Sequence, residues 1–261
     1  MTENSQHTNP DGIPAATVVV FRRAADGAAP ELLMVTRSRN MSFAGGMAVF
    51  PGGRVDPADF ELANKLGADL SDDEVAHRIA AIRETLEETG LAVGIIGNVT
   101  SETARKARHM LLEKQSLAPV LEAMDWSLDL SAILPFSRWF PKNEKLSRVF
   151  DTRFYLADLG TGAVDIAVDE TENTKLYWIT AQGALDAAET GDLSIIYPTR
   201  RNLERLAQLE SFADAQEHCE RYPSRMITPF IEERDGARWL CIPDDAGYPV
   251  FAEPLDKVQR G

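Results

Sequence analysis

The sequence predicts one α/β domain with helical elaborations. β-Branched apolar runs alternate with helix-length amphipathic segments, breaker clusters separate them, and neither an internal repeat nor a low-complexity linker divides the 261 residues. With 44% apolar and 26% charged side chains, the chain can bury a substantial core. Residues 1–12 are polar and expected to form a flexible N-terminal tail, residues 13–255 the domain, and residues 256–261 a second tail. A helical insertion is expected around 100–126 and a C-terminal extension after about 210.

The first strand is predicted at 16–22, where TVVVF is β-branched and aromatic, and the second at 31–36, reading ELLMVT. Asp26, Gly27 and Pro30 mark the turn between them. A third strand at 47–50 runs into Pro51, Gly52 and Gly53, a cluster that must turn sharply or bring backbone close to another group. Residues 60–70 are expected to be an irregular excursion after the PADF turn, with no helix caps in view. The next segment has caps. Ser71 with Glu74 forms a capping-box pattern, Asp72 and Asp73 suit a helix N-terminus, and Gly90 suits its stop, so a helix is predicted over 72–89. Residues 91–96 read as a buried strand and 102–124 as mainly helical, interrupted near Pro119. Strands follow at 133–139, 148–156 and 175–179. Helices at 181–188 and 199–209 flank an apolar strand at 195–197, and a last strand pair is expected within 226–242.

The helix at 72–89 carries the unusual pattern. At 100° per residue, Val75, Ile79, Ile82 and Leu86 share the face to be buried, and Glu84, Glu87 and Glu88 lie nearly opposite. Carboxylates at i, i+3 and i+4 repel one another unless something positive stands among them. A hard divalent cation would satisfy them, because Mg²⁺ prefers carboxylate and water oxygens and also binds phosphate. The alternative is a solvated acidic face.

Charge and composition exclude other classes. A net charge of −14 opposes nucleic-acid backbones, no apolar run approaches membrane-spanning length, and the polar start lacks a secretion pattern. Cys219 and Cys241 are too few for a disulfide framework, which makes the cytoplasm the expected compartment. His77, His109 and His218 lack ligand spacing and are expected to be structural or surface residues.

The glycine turn at Phe50–Gly53, followed by RETLEETGL at Arg83–Leu91, resembles the Nudix hydrolase signature G-x5-E-x7-R-E-U-x-E-E-x-G-U, where U is aliphatic. Arg83, Glu84, Glu87, Glu88, Gly90 and Leu91 match. Asp59 stands where the signature has Glu, Thr85 replaces an aliphatic residue, and Arg83 comes 16 positions later than the signature places it. That insertion falls in the loop before the helix, where added length costs little.

The resemblance implies an α/β/α sandwich with a mixed β-sheet and a divalent cofactor, Mg²⁺ or Mn²⁺. It implies Glu84, Glu87, Glu88 and Gly53 as metal-site residues, Glu84 as a further ligand or the base, and Arg83 paired with a carboxylate. Glu172, six residues before Trp178, is a further acidic candidate facing the metal, with Glu170 as its competitor. TRSRN at 36–40, AGGMAVFPGG at 44–53 and YPTRRNLERLA at 197–207 are similar to the branch of peroxisomal coenzyme A diphosphatases, although Ser42 replaces an arginine of that branch's motif. Arg37, Arg39, Arg138 and Arg153 are candidate substrate contacts, and Trp139 and Phe140 either stack on a base or belong to the core. The expected partner is a nucleotide-containing small molecule, with a homodimer admitted. Hydrolysis of a coenzyme A-like diphosphate is the leading activity. ADP-ribose or dinucleotide cleavage and a non-catalytic ligand sensor are the alternatives.

Overall fold

The computed structural model describes residues 12–24, 28–39, 44–141, 149–160 and 173–258. The chain begins with β1 (Ile13–Arg22), β2 (Glu31–Arg37), β3 (Ala48–Val49), β4 (Gly52–Arg54), α1 (Pro57–Leu66) and α2 (Asp72–Thr89). Next come β5 (Ile95–Ile96), α3 (Ser101–Lys114), α4 (Ala118–Met124), β6 (Ser127–Leu128), β7 (Leu134–Trp139), β8 (Phe150–Asp158) and β9 (Asn173–Thr180). The remainder is α5 (Ala181–Thr190), α6 (Tyr197–Leu206), α7 (Phe212–Arg221), β10 (Met226–Ile227), β11 (Phe230–Arg234), β12 (Ala237–Cys241) and β13 (Ala252–Pro254).

The main sheet runs β10-β7-β8-β1-β2-β3, with β4 paired to β1 and β9 to β2. It is mixed: β1 and β8 are parallel over their length, and β2 and β9 are antiparallel. Strand alternation splits the core into two layers. Val18 and Val20 face the cluster containing Val75, Ile79, Ile82 and Leu86 of α2, whereas Val19 and Phe21 face Ala184, Leu185 and Leu203 of α5 and α6. The four α2 residues predicted to be buried are all fully buried, each worth roughly 1.5–3 kcal/mol of apolar burial. Helices thus cover both faces of a mixed sheet, as expected.

α2 keeps its predicted limits because both ends are locally encoded. Ser71 accepts the Glu74 N–H, and Gly90 closes the helix in the left-handed conformation, its N–H donating to the Leu86 carbonyl.

Three expectations need correction. Residues 57–66 form a helix, where an irregular excursion had been expected across 60–70. Pro57 starts it, the Asp59 carboxylate accepts the Asp56 N–H, and left-handed Gly67 ends it. Of the strand expected at 91–96 only β5 forms, paired with β6 outside the main sheet, and Ile96 is exposed. No strand forms at 195–197. Ser194 there merely accepts one N–H from Ala48, and Tyr197 opens α6. α7 went unpredicted, although Ser211 caps it through the Asp214 N–H.

Candidate active site

The site is assembled where β4 crosses the C-terminal half of α2. Gly53 pairs with Ala16 and Gly52 with Thr17 of β1, and the backbone of β1 leaves no room for a side chain at Gly52. A Cβ on Gly52 would overlap the Ala16 carbonyl, and one on Gly53 would overlap the Glu84 carboxyl group. The Gly52 N–H donates to Glu88 Oε2 at 3.0 Å, so the glycine turn and the helix are joined through the carboxylates themselves. Glu88 is almost fully buried, and Glu84 and Glu87 are partly exposed.

Arg83 organises the surrounding charges. Its Nε donates to Asp59 Oδ1 at 3.0 Å, its Nη2 to Asp59 Oδ2 at 3.0 Å and to the Arg54 carbonyl at 2.8 Å, and its Nη1 to Glu84 Oε1 at 2.8 Å. Glu87 lies 3.5 Å and Asp56 3.4 Å from the same guanidinium. Asp59 is only 1% exposed, so this fork closes on a carboxylate with nowhere else to turn. Asp59, one carbon shorter than the signature's glutamate, therefore still reaches Arg83. Asp59 and Asp56 are partners that motif matching alone did not assign, and the acidic position of the signature was the available clue.

Burial pushes the Glu84 carboxyl up to about 7, with Arg83 opposing and Glu87 reinforcing the rise. Against its usual 4.5, the folded, metal-free protein then binds an extra proton between about pH 4.5 and 7. Stability in chelator should therefore fall as pH rises through that window. Glu84→Gln, which keeps an acceptor for Arg83, is expected to be about 1–3 kcal/mol more stable than wild type at pH 8 and to lose that advantage near pH 4.5. Denaturant melts at the two pH values check this, and equal stability at pH 8 would refute it.

A cleft of about 840 Å³ opens over these groups. Its acidic lining, Asp56, Glu61, Glu84, Glu87 and Glu88, comes from α1, α2 and the turn before α1. Apolar lining from β3, β8 and α6 includes Val49, Phe154 and Pro198. Arg37 also lines it, and its buried Nε has no hydrogen-bond partner among the described residues. Gln115, at the left-handed end of α3, lines it as well and was not anticipated.

The other candidate arginines lie elsewhere. Arg39 is exposed and does not line the cleft. Arg138 forks onto Asp151 at 2.7 and 2.5 Å, and Arg153 pairs with Asp73 and, at 2.7 Å, with Glu74. Both border a smaller hollow at the start of α2, because strand alternation turns Thr152 and Phe154 toward the cleft and Arg153 away from it. Of the four candidate arginines, Arg37 is the one that lines the cleft among the described residues. Trp139 belongs to the core: its Nε1–H donates to the Tyr248 hydroxyl at 3.1 Å, and it packs edge-on against Tyr197 and Tyr248. Phe140 is likewise buried. Glu170 and Glu172 lie outside the described residues.

Among the described residues, no three carboxylate, imidazole or thiol groups form a finished metal cage. Glu84 is turned onto Arg83 and Glu88 onto Gly52. The donor set still fits Mg²⁺, which commonly keeps several waters and uses one or two carboxylates together with substrate phosphate. Among the described residues no helix is long and apolar enough to cross a membrane.

The family model described as the NUDIX domain matches residues 13–153. Acyl-coenzyme A diphosphatase NUDT19 of Gallus gallus is 26% identical over 283 residues, spanning 84% of this chain and 73% of the relative. Its Xenopus laevis namesake is 24% identical over 312 residues, spanning 90% and 80%. The crystal structure of a NUDIX hydrolase from Alicyclobacillus acidocaldarius superposes with a TM-score of 0.67 at 27% identity, over 79% of this chain and 96% of that one.

Proposed function

The chain belongs to the NUDIX domain family and is a hydrolase, and from that premise we propose that it cleaves the diphosphate of coenzyme A or an acyl-coenzyme A with the help of Mg²⁺ or Mn²⁺. The observation that carries this reading is the shared cleft. Carboxylates and a close-packed glycine turn adjoin an apolar lining and the cationic side chain of Arg37. Such a cleft suits a ligand that combines anionic phosphates with a long, partly apolar arm. The names of the two vertebrate relatives support the same substrate class.

Glu87, Glu88 and the Gly53 carbonyl would hold the cation, with Glu172 as a further ligand. A divalent ion bound there supplies charge neutralisation of the diphosphate and acidifies the attacking water. Arg83 holds Glu84 through Oε1, which leaves Oε2 to accept a proton from an attacking water. Gly53, lacking a side chain, lets the Glu84 carboxylate lie against the turn. Arg37, which lines the cleft, anchors a phosphate of the substrate through its guanidinium. The apolar lining from β3, β8 and α6 holds the remainder of the substrate and keeps water from its arm. Free, buried Cys219 and Cys241 suit a reducing compartment, and we assign the enzyme to the cytoplasm.

Coenzyme A, acyl-coenzyme A, ADP-ribose and dinucleoside polyphosphates, assayed with Mg²⁺ and with Mn²⁺, test the proposal. Coenzyme A species should turn over with the highest kcat/KM. Preference for ADP-ribose or a dinucleotide would replace the substrate, and turnover of none would favour a ligand sensor.

A further inference from the structure

The end of α2 that carries the three glutamates is electrostatically unfavourable for them. Unpaired carbonyls give a helix C-terminus partial negative charge. Glu84, Glu87 and Glu88 add to it, and the last turn of α2 contains no basic residue. Most of that turn is tied locally: Gly90 N–H donates to the Leu86 carbonyl, and the Thr89 hydroxyl donates to the Thr85 carbonyl while accepting the Leu91 N–H.

The carbonyl of Glu87 is met from another helix. Arg108 of α3 donates its Nε–H to it at 2.8 Å. Among the described residues this arginine makes no ion pair, so no carboxylate draws the guanidinium elsewhere. Its placement follows from packing, since Ala107 and Leu111 on either side of it are fully buried in the same cluster as Ile79, Ile82 and Leu86. Its stem passes the Gly90 cap, where a Cβ would meet Arg108 Cδ only at 3.9 Å.

We propose that Arg108 is a positioning residue of the active site. By anchoring the Glu87 carbonyl and setting a positive charge at the end of α2, it holds the turn bearing Glu87 and Glu88 in the arrangement that takes up a divalent cation. The inserted helix α3 is thereby a buttress of the catalytic helix. The inference rests on the assignment of Glu87 and Glu88 as cation ligands.

Sign separates positioning from bulk electrostatics. An arginine acting only through space repels a cation, so its removal would tighten metal binding. Removal of a positioning arginine loosens the turn and weakens binding. Mn²⁺ binding to the full chain without substrate, followed by the loss of the free-ion paramagnetic resonance signal, distinguishes the two. Arg108→Gln should weaken Mn²⁺ binding roughly 10-fold, lower kcat with KM for substrate nearly constant, and speed amide exchange at residues 87–91 in chelator. Arg108→Lys, which restores the cation, should stay within about 2–3-fold of wild type. Should circular dichroism show Arg108→Gln unfolded, Arg108→Met, which keeps the apolar stem over Gly90, replaces it. Unchanged or tighter Mn²⁺ binding in the neutral variant, with binding weakened in Glu88→Gln, overturns the role of Arg108 alone. Unchanged binding in Glu88→Gln overturns the ligand assignment beneath it.

Discussion

Glu87→Gln and Glu88→Gln are each expected to lower turnover by at least ~100-fold at saturating Mg²⁺ while leaving the fold intact. The substitution is informative because it removes charge and little else. Glu88 is nearly buried and accepts the Gly52 N–H at 3.0 Å, a bond that a glutamine oxygen can keep. Glu87 is more exposed and touches Arg83 only at 3.5 Å, so its loss disturbs the Asp59 fork little. Circular dichroism should be unchanged and steady-state rates sharply lower. Mg²⁺ should raise the melting temperature of the wild type in a concentration-dependent way and that of Glu88→Gln only weakly, since a ligand stabilises in proportion to its affinity for the folded state. Near-normal turnover in either variant, or identical responses to Mg²⁺, would show that these carboxylates are not the metal ligands.

The largest loss of stability is expected at Arg83→Gln. Asp59 is 1% exposed and receives hydrogen bonds from two nitrogens of the Arg83 guanidinium, both at 3.0 Å. Removing the cation leaves a buried carboxylate without its counter-charge, at a cost of about 3–5 kcal/mol. The Arg54 carbonyl loses its donor as well. Asp59→Asn on its own leaves the arginine with Glu84, Glu87 and Asp56, so it should cost less. In the double variant the neutral pair should recover part of the loss, giving a coupling of about 2 kcal/mol. Urea melts of the four proteins in chelator measure it. If Arg83→Gln costs under about 1 kcal/mol, or the two changes are additive, the Arg83–Asp59 fork is not what holds α1 against α2.

The core of this protein was legible from local pattern. Ser71, Gly90 and the spacing of Val75, Ile79, Ile82 and Leu86 define α2 from end to end, because capping and a 3.6-residue period are properties of neighbouring residues. The same period brings Glu84, Glu87 and Glu88 to one face, so the acidic site could be read without coordinates. α1 was also written locally, in Asp56, Pro57, Asp59 and Gly67, but those residues serve as turn formers equally well.

What only the tertiary structure decided was partnership across the chain. The apolar runs at 91–96 and 195–197 carry strand composition, yet whether such a run becomes a strand depends on a free sheet edge beside it. Beside 195–197 a single hydrogen bond forms, from the Ala48 N–H of β3 to the Ser194 carbonyl, and of 91–96 only Ile95 and Ile96 find a partner, in β6. Arg37, Arg138 and Arg153 are chemically alike, and the strand faces they occupy separate a cleft residue from two ion-pair residues. Arg108 meets the Glu87 carbonyl, and Asp59 meets Arg83, across separations of 21 and 24 residues. The sequence by itself determined the helix α2 and the residues it displays, because a helix is set by interactions over three or four positions. Which charges would face those residues was left to tertiary packing, because a charge is satisfied by whatever the fold brings within about 3 Å of it.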